Sequence, residues 1–350
     1  MIFLETKLLC ICDENYSQQI LEAAQIIKNG GLVALPTETV YGLAANALNP
    51  QAVKNIFEAK GRPQDNPLII HIYEPSDAQN YAENIPDVYY QLCEKFSPGP
   101  LTVILKKKSC VPYETSGGLE TVAIRIPAHP VARDIIKAAE LPLAAPSANI
   151  SGKPSPTSAQ HCVDDLWGKV DAIVDGGICK VGLESTVISL AEEIPVLLRP
   201  GAVTAEELRK ILPNLQIHQA VTSELQSNSQ AVSPGMRYKH YSPNAKVVIL
   251  NGSSEQYIEY INKNVEDGVY ALCFEEDAEG LKVPVVIWGS KDDGPTLAQR
   301  LFAALRELDK KAATKVYAHA PSKQGVGLAV YNRLIRAAGF DELDLNEDIL

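Results

Sequence analysis

Lys60 and Arg62 flank a single glycine in the stretch KGRPQDNPLIIH, just before a short apolar run that ends in His71. Lysine offers a phosphate group a compact positive charge, and arginine offers a planar fork that fits phosphate or carboxylate. A charged, solvated turn is the simpler explanation of such a pair. The stretch alone therefore does not establish an anion site.

Other polar residues stand where apolar, β-branched runs begin or end. Arg125 lies inside the run TVAIRI, where a cation is unfavourable unless it is paired. Ser185 opens the run STVISL and Arg199 ends the run PVLLR, while Ser147 and Asn149 follow the run LPLAA. Taken singly, Arg199 could cap carbonyls, and Ser147 and Asn149 could be turn formers. Together with the two cations they suit a polyanion plus a small carboxylate.

The elements that must position these residues indicate an α/β domain. Residues 17–29 and 49–61 carry apolar side chains at helical spacing, and glycine follows or ends each segment. The strand candidates are the short apolar runs 32–36, 67–72, 101–105, 121–126, 141–145, 171–175, 185–190 and 195–199. We predict a twisted mixed sheet with flanking helices, with ligand-binding loops at the strand ends.

The composition changes after residue 212 and predicts three parts. Residues 1–212 form the first domain, and 213–244, rich in Gln, Ser and Asn, form a linker. Its second half, PGMRYKHYSP, is predicted to be a lid, because a spacer has no use for tyrosines, a histidine and cations. Docking of the two domains is the alternative. Residues 245–350 predict a smaller Rossmann-like domain without the G-x-G-x-x-G fingerprint.

Charge and composition argue against several classes of protein. The net charge of −11 gives no general attraction to nucleic acid or to anionic membranes. No apolar run approaches the ~18 residues of a membrane span, and the first residues do not resemble a signal peptide. The seven scattered cysteines and six histidines lack metal-ligand spacing, so we predict a cytoplasmic protein without a structural metal.

Seven motifs occur in an order that is similar to one enzyme family. They are PTETVYGL, KGRPQDNPLIIH, TVAIRIPAHP, APSANISGKPSPT, GLESTVI, LLRPGAVT and PGMRYKHYSP. The chain resembles the threonylcarbamoyl-AMP synthases of the YrdC-like family, in the long form with an appended C-terminal domain. The resemblance covers nearly all of residues 15–245 and is weaker beyond them. It implies a YrdC-like sheet followed by the smaller domain.

The resemblance also implies two sets of binding residues and a catalytic role for Lys60 and Arg62. The implied ATP contacts are Lys60, Arg62, Asn66, Thr121, Ser147, Asn149, Ser155, Arg199 and Tyr238. The implied threonine contacts are Thr39, His71, Arg125, Ala145 and Ser185. In this assignment Arg125 clamps the carboxylate of threonine.

The implied reaction joins L-threonine, bicarbonate and ATP into threonylcarbamoyl-adenylate and releases pyrophosphate. The product would supply N6-threonylcarbamoyladenosine in tRNA through downstream threonylcarbamoyl transferase proteins, with direct tRNA binding weak or absent. Mg²⁺ is expected to be held mainly by the ATP phosphates, because the motifs contain no carboxylate cage. No side chain is an obvious general base, which leaves carbamate formation to proximity.

Two other classes of function remain open. A related carbamoyl-adenylate enzyme could act on another acceptor, although the acylphosphatase and zinc-finger segments of such carbamoyltransferases are not visible. A non-catalytic RNA-binding module is disfavoured by the net charge of −11. Pyrophosphate release with and without threonine separates the three hypotheses.

Overall fold

The computed structural model describes residues 5–223 and 240–346. Within these residues the chain forms two compact units. The first contains 5–151 and 155–221, and the second contains 152–154, 222–223 and 240–346. Among the described residues, no helix is both long enough and apolar enough to cross a membrane.

The described part of the first unit is built on one twelve-stranded mixed sheet. Its strands are β1 (Lys7–Cys10), β2 (Val33–Leu35), β3 (Gly42–Asn46), β4 (Ile69–His71), β5 (Ala82–Glu83), β6 (Leu101–Lys107), β7 (Thr121–Arg125), β8 (Leu143–Ala144), β9 (Ala172–Asp175), β10 (Thr186–Ser189), β11 (Val196–Arg199) and β12 (Gln216–Ile217). The order is β1-β9-β2-β3-β8-β4-β7-β6-β10-β11-β12, and β5 pairs with β6. Parallel and antiparallel neighbours alternate irregularly, which confirms the predicted mixed sheet.

Helices cover both faces of this sheet. They are α1 (Tyr16–Lys28), α2 (Pro50–Lys60), α3 (Asp87–Phe96), α4 (Tyr113–Ser116), α5 (Pro130–Ala139), α6 (Ala159–Leu166) and α7 (Ala205–Arg209), with 3₁₀ turns at Pro75–Asn80 and Gln219–Val221. Strand β2 shows the two faces, because Ala34 packs into one core cluster while Val33 and Leu35 pack into another. A strand buried on both faces explains why its sequence is continuously apolar.

Helix α2 is bounded by strong local signals, and this fixes the position of the KGR stretch. The side chain of Asn49 accepts hydrogen bonds from the N–H groups of Gln51 and Ala52, and Pro50 occupies the first turn. Gly61 ends the helix in the left-handed conformation, with φ of 60°. Lys60 is therefore the last residue of a helix, and Arg62 lies just beyond its cap.

The first unit continues past residue 212, the end that composition predicts. Strand β12 pairs in parallel with β11, and the unit extends to residue 221. The three-part division at residues 212 and 244 stays a prediction.

The second unit is a five-stranded, wholly parallel sheet with helices, the arrangement predicted for a small Rossmann-like domain. Its elements are β13 (Lys246–Asn251), α8 (Ser254–Lys263), β14 (Val269–Cys273), a 3₁₀ turn (Glu275–Gly280), β15 (Val285–Ile287), α9 (Gly294–Lys310), β16 (Lys315–His319), α10 (Gly325–Ala337) and β17 (Glu342–Asp344). The order is β15-β14-β16-β13-β17. His319 and Asp277 form a buried pair in this unit, with Nδ1 and Oδ2 2.7 Å apart.

Candidate active site

Predicted site residues are paired with one another across neighbouring central strands of the large sheet, at the ends of β4 and β7. The strand register places His71 of β4 opposite Arg125 of β7, and Arg125 opposite Thr102 of β6. Residues paired across neighbouring strands project from the same face of a sheet. Ser185 directly precedes β10, and its hydroxyl lies 2.7 Å from that of Thr102. The fold thus brings His71, Arg125 and Ser185, three of the predicted threonine contacts, into one neighbourhood.

The two other predicted threonine contacts lie in the loops that follow β8 and β2. Ala145 follows β8, and its N–H donates to the carbonyl of Ile69 in β4 over 3.0 Å. A Cβ atom added at Gly42 would lie only 3.2 Å from the Cβ of Ala145. Thr39 is fully buried in the loop after β2, with its hydroxyl 2.8 Å from that of Thr37. Small side chains therefore line this part of the sheet edge.

Arg125 has the partner that its position inside a strand requires. Its Nη2 lies 2.7 Å from Oε1 of Glu38, and both side chains are buried. The other carboxylate oxygen of Glu38 accepts the N–H of Ala128 over 2.9 Å. Burial raises the pKa of Glu38, but the charge and hydrogen bond of Arg125 outweigh it and hold the pKa below its ordinary value. Glu38 is ionised at neutral pH.

Glu38 is a site residue that the sequence reasoning missed. The available signal was a carboxylate in PTETVYGL, in the loop after a predicted strand, together with a strand-borne arginine in need of a counter-charge. Thr102 and Glu184 were missed as well. Thr102 is identified by its register with Arg125, and Glu184 accepts a hydrogen bond from Ser155 over 2.5 Å.

His71 is a neutral imidazole beside Arg125. Burial, and then the positive charge of Arg125, lower the pKa of His71 to about 3. Its Nδ1 has no hydrogen-bond partner within residues 5–223 and 240–346. A buried polar atom of this kind is available to a ligand.

Lys60 is a predicted ATP contact, but it is not a solvated loop cation. Its side chain is 1% exposed, and the ammonium donates to the carbonyls of Ser147 and Asn149 over 2.5 and 2.6 Å. Burial, and then the charge of Arg62, lower the pKa of Lys60 well below its ordinary value. The structure therefore brings the K-x-R and S-x-N residues together through backbone carbonyls.

The hydroxyl and amide of the S-x-N segment hold each other in place. Ser147 donates to Oδ1 of Asn149 over 2.6 Å, and Nδ2 of Asn149 donates to the carbonyl of Ile150 over 2.8 Å. Arg62 is half-buried and contacts the carbonyl of Pro67 at 3.4 Å. The segment is thus ordered by its own side chains, with a cation nearby.

Asn66 and Thr121 lie at the opposite end of β4 and β7 from His71 and Arg125. Thr121 begins β7, and Arg125 lies four positions further along the extended strand, about 13 Å away. Asn66 is buried, and its Oδ1 has no partner among the residues that the structure describes. These two predicted nucleotide contacts therefore lie away from the threonine contacts that the same strands carry.

Arg199 joins the two predicted sets of binding residues. Its Nε donates to the carbonyl of Ser185 over 3.0 Å, and its Nη2 donates to the hydroxyl of the same residue over 3.1 Å. Residues 234–239 of the PGMRYKHYSP segment, which include Tyr238, lie outside the described residues. The ATP contact assigned to Tyr238 and the lid stay predictions.

Two family models together match residues 25–201 and 203–339 of the chain. The first is the model for Sua5, YciO and YrdC, described as "Telomere recombination", and the second is described as "Threonylcarbamoyl-AMP synthase, C-terminal domain". The chain belongs to the threonylcarbamoyl-AMP synthase family. The resemblance stated from the sequence motifs is thereby confirmed.

Relatives with that name match along most of their length. The threonylcarbamoyl-AMP synthase of Pyrococcus abyssi is 47% identical to this chain, and the match covers 91% of this chain and 93% of the P. abyssi protein. The Bacillus subtilis synthase is 44% identical, over 92% of this chain and 93% of its own. A solved structure of P. abyssi Sua5 complexed with L-threonine superposes with a TM-score of 0.88 at 44% identity, covering 97% and 99% of the two chains.

Proposed function

We propose that this chain makes L-threonylcarbamoyl-adenylate from L-threonine, bicarbonate and ATP, with release of pyrophosphate. The observation that carries the proposal is the series of neighbours that begins with Arg125 paired in strand register with Thr102 and continues by hydrogen bonds through Ser185 to Arg199. It joins a cation suited to an amino-acid carboxylate to a cation suited to phosphate. The names of the relatives, and the relative complexed with L-threonine, support the assignment.

In the amino-acid half of the site, Arg125 binds the carboxylate of threonine. The small residues Thr39, Ala145 and Ser185 enclose its short side chain, and His71 offers the unpartnered Nδ1. Because His71 is neutral, it does not add a second positive charge beside Arg125. The amine then attacks as the neutral species, positioned chiefly by these contacts. Attack on bicarbonate forms the carbamate and releases water, and attack on CO₂ forms it and releases the proton of the amine to solvent.

In the nucleotide half, the carbamate oxygen attacks the α-phosphorus of ATP, and pyrophosphate leaves with the bonding electron pair. Arg62 and Arg199 stabilise the charge that moves onto pyrophosphate. Lys60 has three ammonium donors, and two of them hold the carbonyls of Ser147 and Asn149. The third N–H is left for a phosphate oxygen. Asn66, Thr121, Ser155 and Tyr238 complete the proposed ATP contacts.

The described residues do not form a protein cage for Mg²⁺. No three carboxylate, histidine or cysteine side chains are grouped as metal ligands in residues 5–223 and 240–346. Glu38 is engaged by Arg125, and Glu184 by Ser155. In the proposal Mg²⁺ belongs to the ATP phosphates and supplies charge neutralisation there.

The adenylate is a carrier, so another protein must consume it. We place this chain upstream of the threonylcarbamoyl transferases that modify adenosine in tRNA, in the cytoplasm. The net charge of −11 supports transfer of a small molecule to those proteins, with little direct binding of tRNA.

The test is pyrophosphate release, with mass spectrometry of the nucleotide product, from ATP, bicarbonate and each amino acid in turn. We expect a product of the mass of threonylcarbamoyl-adenylate with threonine, and none without bicarbonate. Arg125→Met should abolish the pyrophosphate release that threonine stimulates, while the protein still binds ATP. Equal pyrophosphate release with and without any amino acid would contradict the proposal, and release with another acceptor alone would favour the related carbamoyl-adenylate chemistry.

A further inference from the structure

Glu38 is a buried carboxylate at the site that neither predicted set of binding residues includes. It lies between Thr37 and Thr39 in the loop after β2, far in sequence from the strand it contacts. Its two carboxylate oxygens bind two different donors of the β7 region, Nη2 of Arg125 over 2.7 Å and the N–H of Ala128 over 2.9 Å. Such a carboxylate is fixed at both of its oxygens.

This arrangement constrains the guanidinium of Arg125 on one edge. Nη2 is held by Glu38, and Nε points to the carbonyl of Gly99 at 3.4 Å. Among the residues that the structure describes, none hydrogen-bonds Nη1 of Arg125. An arginine fork has five N–H donors in a rigid plane, so fixing one edge fixes where the others point.

We propose that Glu38 is a positioning residue for threonine, which orients Arg125 so that its remaining donors meet the carboxylate of the amino acid. Glu38 also compensates the charge of Arg125 in the empty pocket. A buried arginine without a counter-charge turns towards water or distorts the strand, because the desolvation of a lone charge is costly. The inference rests on the proposed function, since it concerns the orientation of its amino-acid site.

Glutamine cannot replace Glu38 in this role. Both oxygens of Glu38 accept hydrogen bonds from donors, whereas glutamine has one acceptor oxygen and one donor NH₂ group. In Glu38→Gln either Arg125 or Ala128 must face an N–H group. The variant keeps the size of the side chain and loses one of the two fixing contacts together with the charge.

The experiment compares the affinity of the full-length protein for L-threonine and for L-threoninol, which has a CH₂OH group in place of the carboxylate. Calorimetry of each compound gives the wild-type preference for threonine, which we expect to be about 10–100-fold, the range for a charge-assisted pair. In Glu38→Gln this preference should shrink to within about 3-fold, while the KM for ATP changes less than about 3-fold. A merely structural defect would lower the affinity for both compounds equally and leave the preference for threonine unchanged.

Asp277→Asn is the matched control, because Asp277 is also a buried carboxylate 2.7 Å from a basic side chain, but in the second unit. It should lower the unfolding temperature without changing the preference for threonine over threoninol. If Glu38→Gln does not fold, Glu38→Asp keeps the charge with a shorter reach and should show a smaller preference than wild type.

An unchanged preference in a folded Glu38 variant overturns the inference about Glu38. Failure of the wild-type protein to bind threonine at all would instead overturn the proposed function. The two failures are therefore distinguishable in the same set of measurements.

Discussion

The hydroxyl of Ser185 lies 3.1 Å from Nη2 of Arg199, so one residue of the proposed threonine pocket directly contacts one proposed ligand of ATP. The same hydroxyl lies 2.7 Å from that of Thr102. A group shared in this way should couple the two substrates energetically, because its loss removes one hydrogen bond of the arginine and alters the amino-acid pocket at the same time.

Ser185→Ala should therefore raise the KM for threonine and the KM for ATP in parallel, each by roughly 5–30-fold for one lost hydrogen bond. Steady-state kinetics with each substrate varied in turn measures both constants. Thr102→Val removes only the neighbouring hydroxyl and should affect threonine more than ATP. An effect of Ser185→Ala confined to threonine would show that the contact with Arg199 has no part in ATP binding, and an effect confined to ATP would remove Ser185 from the threonine pocket.

Lys60 and Arg62 should differ in their effect on stability. Lys60→Met removes the donor from the buried carbonyl of Asn149 and from the partly buried carbonyl of Ser147, which costs roughly 1–3 kcal/mol of unfolding free energy. Arg62→Met, at a half-buried position beyond the helix cap, should cost within about 0.5 kcal/mol. Urea denaturation of both variants measures the difference. Equal stabilities would mean that the ammonium of Lys60 does not hold this segment.

The amino-acid pocket should discriminate against serine. The side chains of Thr39, Ala145 and Ser185 are small, and one methyl group in a close-fitting pocket is worth roughly 10–200-fold in kcat/KM. Competition between threonine and serine for adenylate formation measures the ratio. Gly42→Ala, whose Cβ would lie 3.2 Å from that of Ala145, should reduce activity with threonine more than with serine. Equal turnover of serine and threonine in the wild type would contradict the assignment of this pocket.

Acid should destabilise the first unit through His71. Its pKa is about 3 in the folded chain and 6.5 when unperturbed, so below about pH 6.5 the unfolded chain takes up a proton that the folded chain refuses. Stability contributed by the neutral imidazole is thus present at neutral pH and falls by about 1.4 kcal/mol per pH unit as the pH drops towards 3. Urea denaturation between about pH 6.5 and pH 4.5 should show that the unfolding free energy of His71→Gln falls less steeply with pH than that of the wild type. The same slope in both proteins would exclude His71 as the cause.

Local sequence patterns predicted most of the sheet in the first unit and indicated candidate residues for its site. Continuous apolar runs marked most of the central strands, because both faces of the sheet are covered, but the sequence analysis did not predict β3. The arginine inside β7 signalled a counter-charge that had to exist somewhere. These features follow from periodicity and burial, which act over a few neighbouring residues.

The partners of the site residues could not be read in the same way. Glu38 and Arg125 are separated by 87 positions in the chain, and they meet only because the loop after β2 and the end of β7 reach the same sheet edge. The burial of Lys60 depends similarly on carbonyls 87 and 89 positions away. Strand order and register decide these contacts, and neither can be inferred from the local patterns of one sequence.

Strand β12 has a mechanical consequence for the chain that leaves the first unit. Two hydrogen bonds flank this short strand, from Gln216 to the carbonyl of Pro195 and from His218 to that of Leu197, both 3.0 Å. Tension applied to the chain beyond residue 221 would first load the 3₁₀ turn Gln219–Val221, in which Ala220 is buried against the sheet, and then these two bonds. The next strand inward is β11, which ends in Arg199. A pull on this chain would therefore detach the turn and β12 before it reached the strand that carries Arg199.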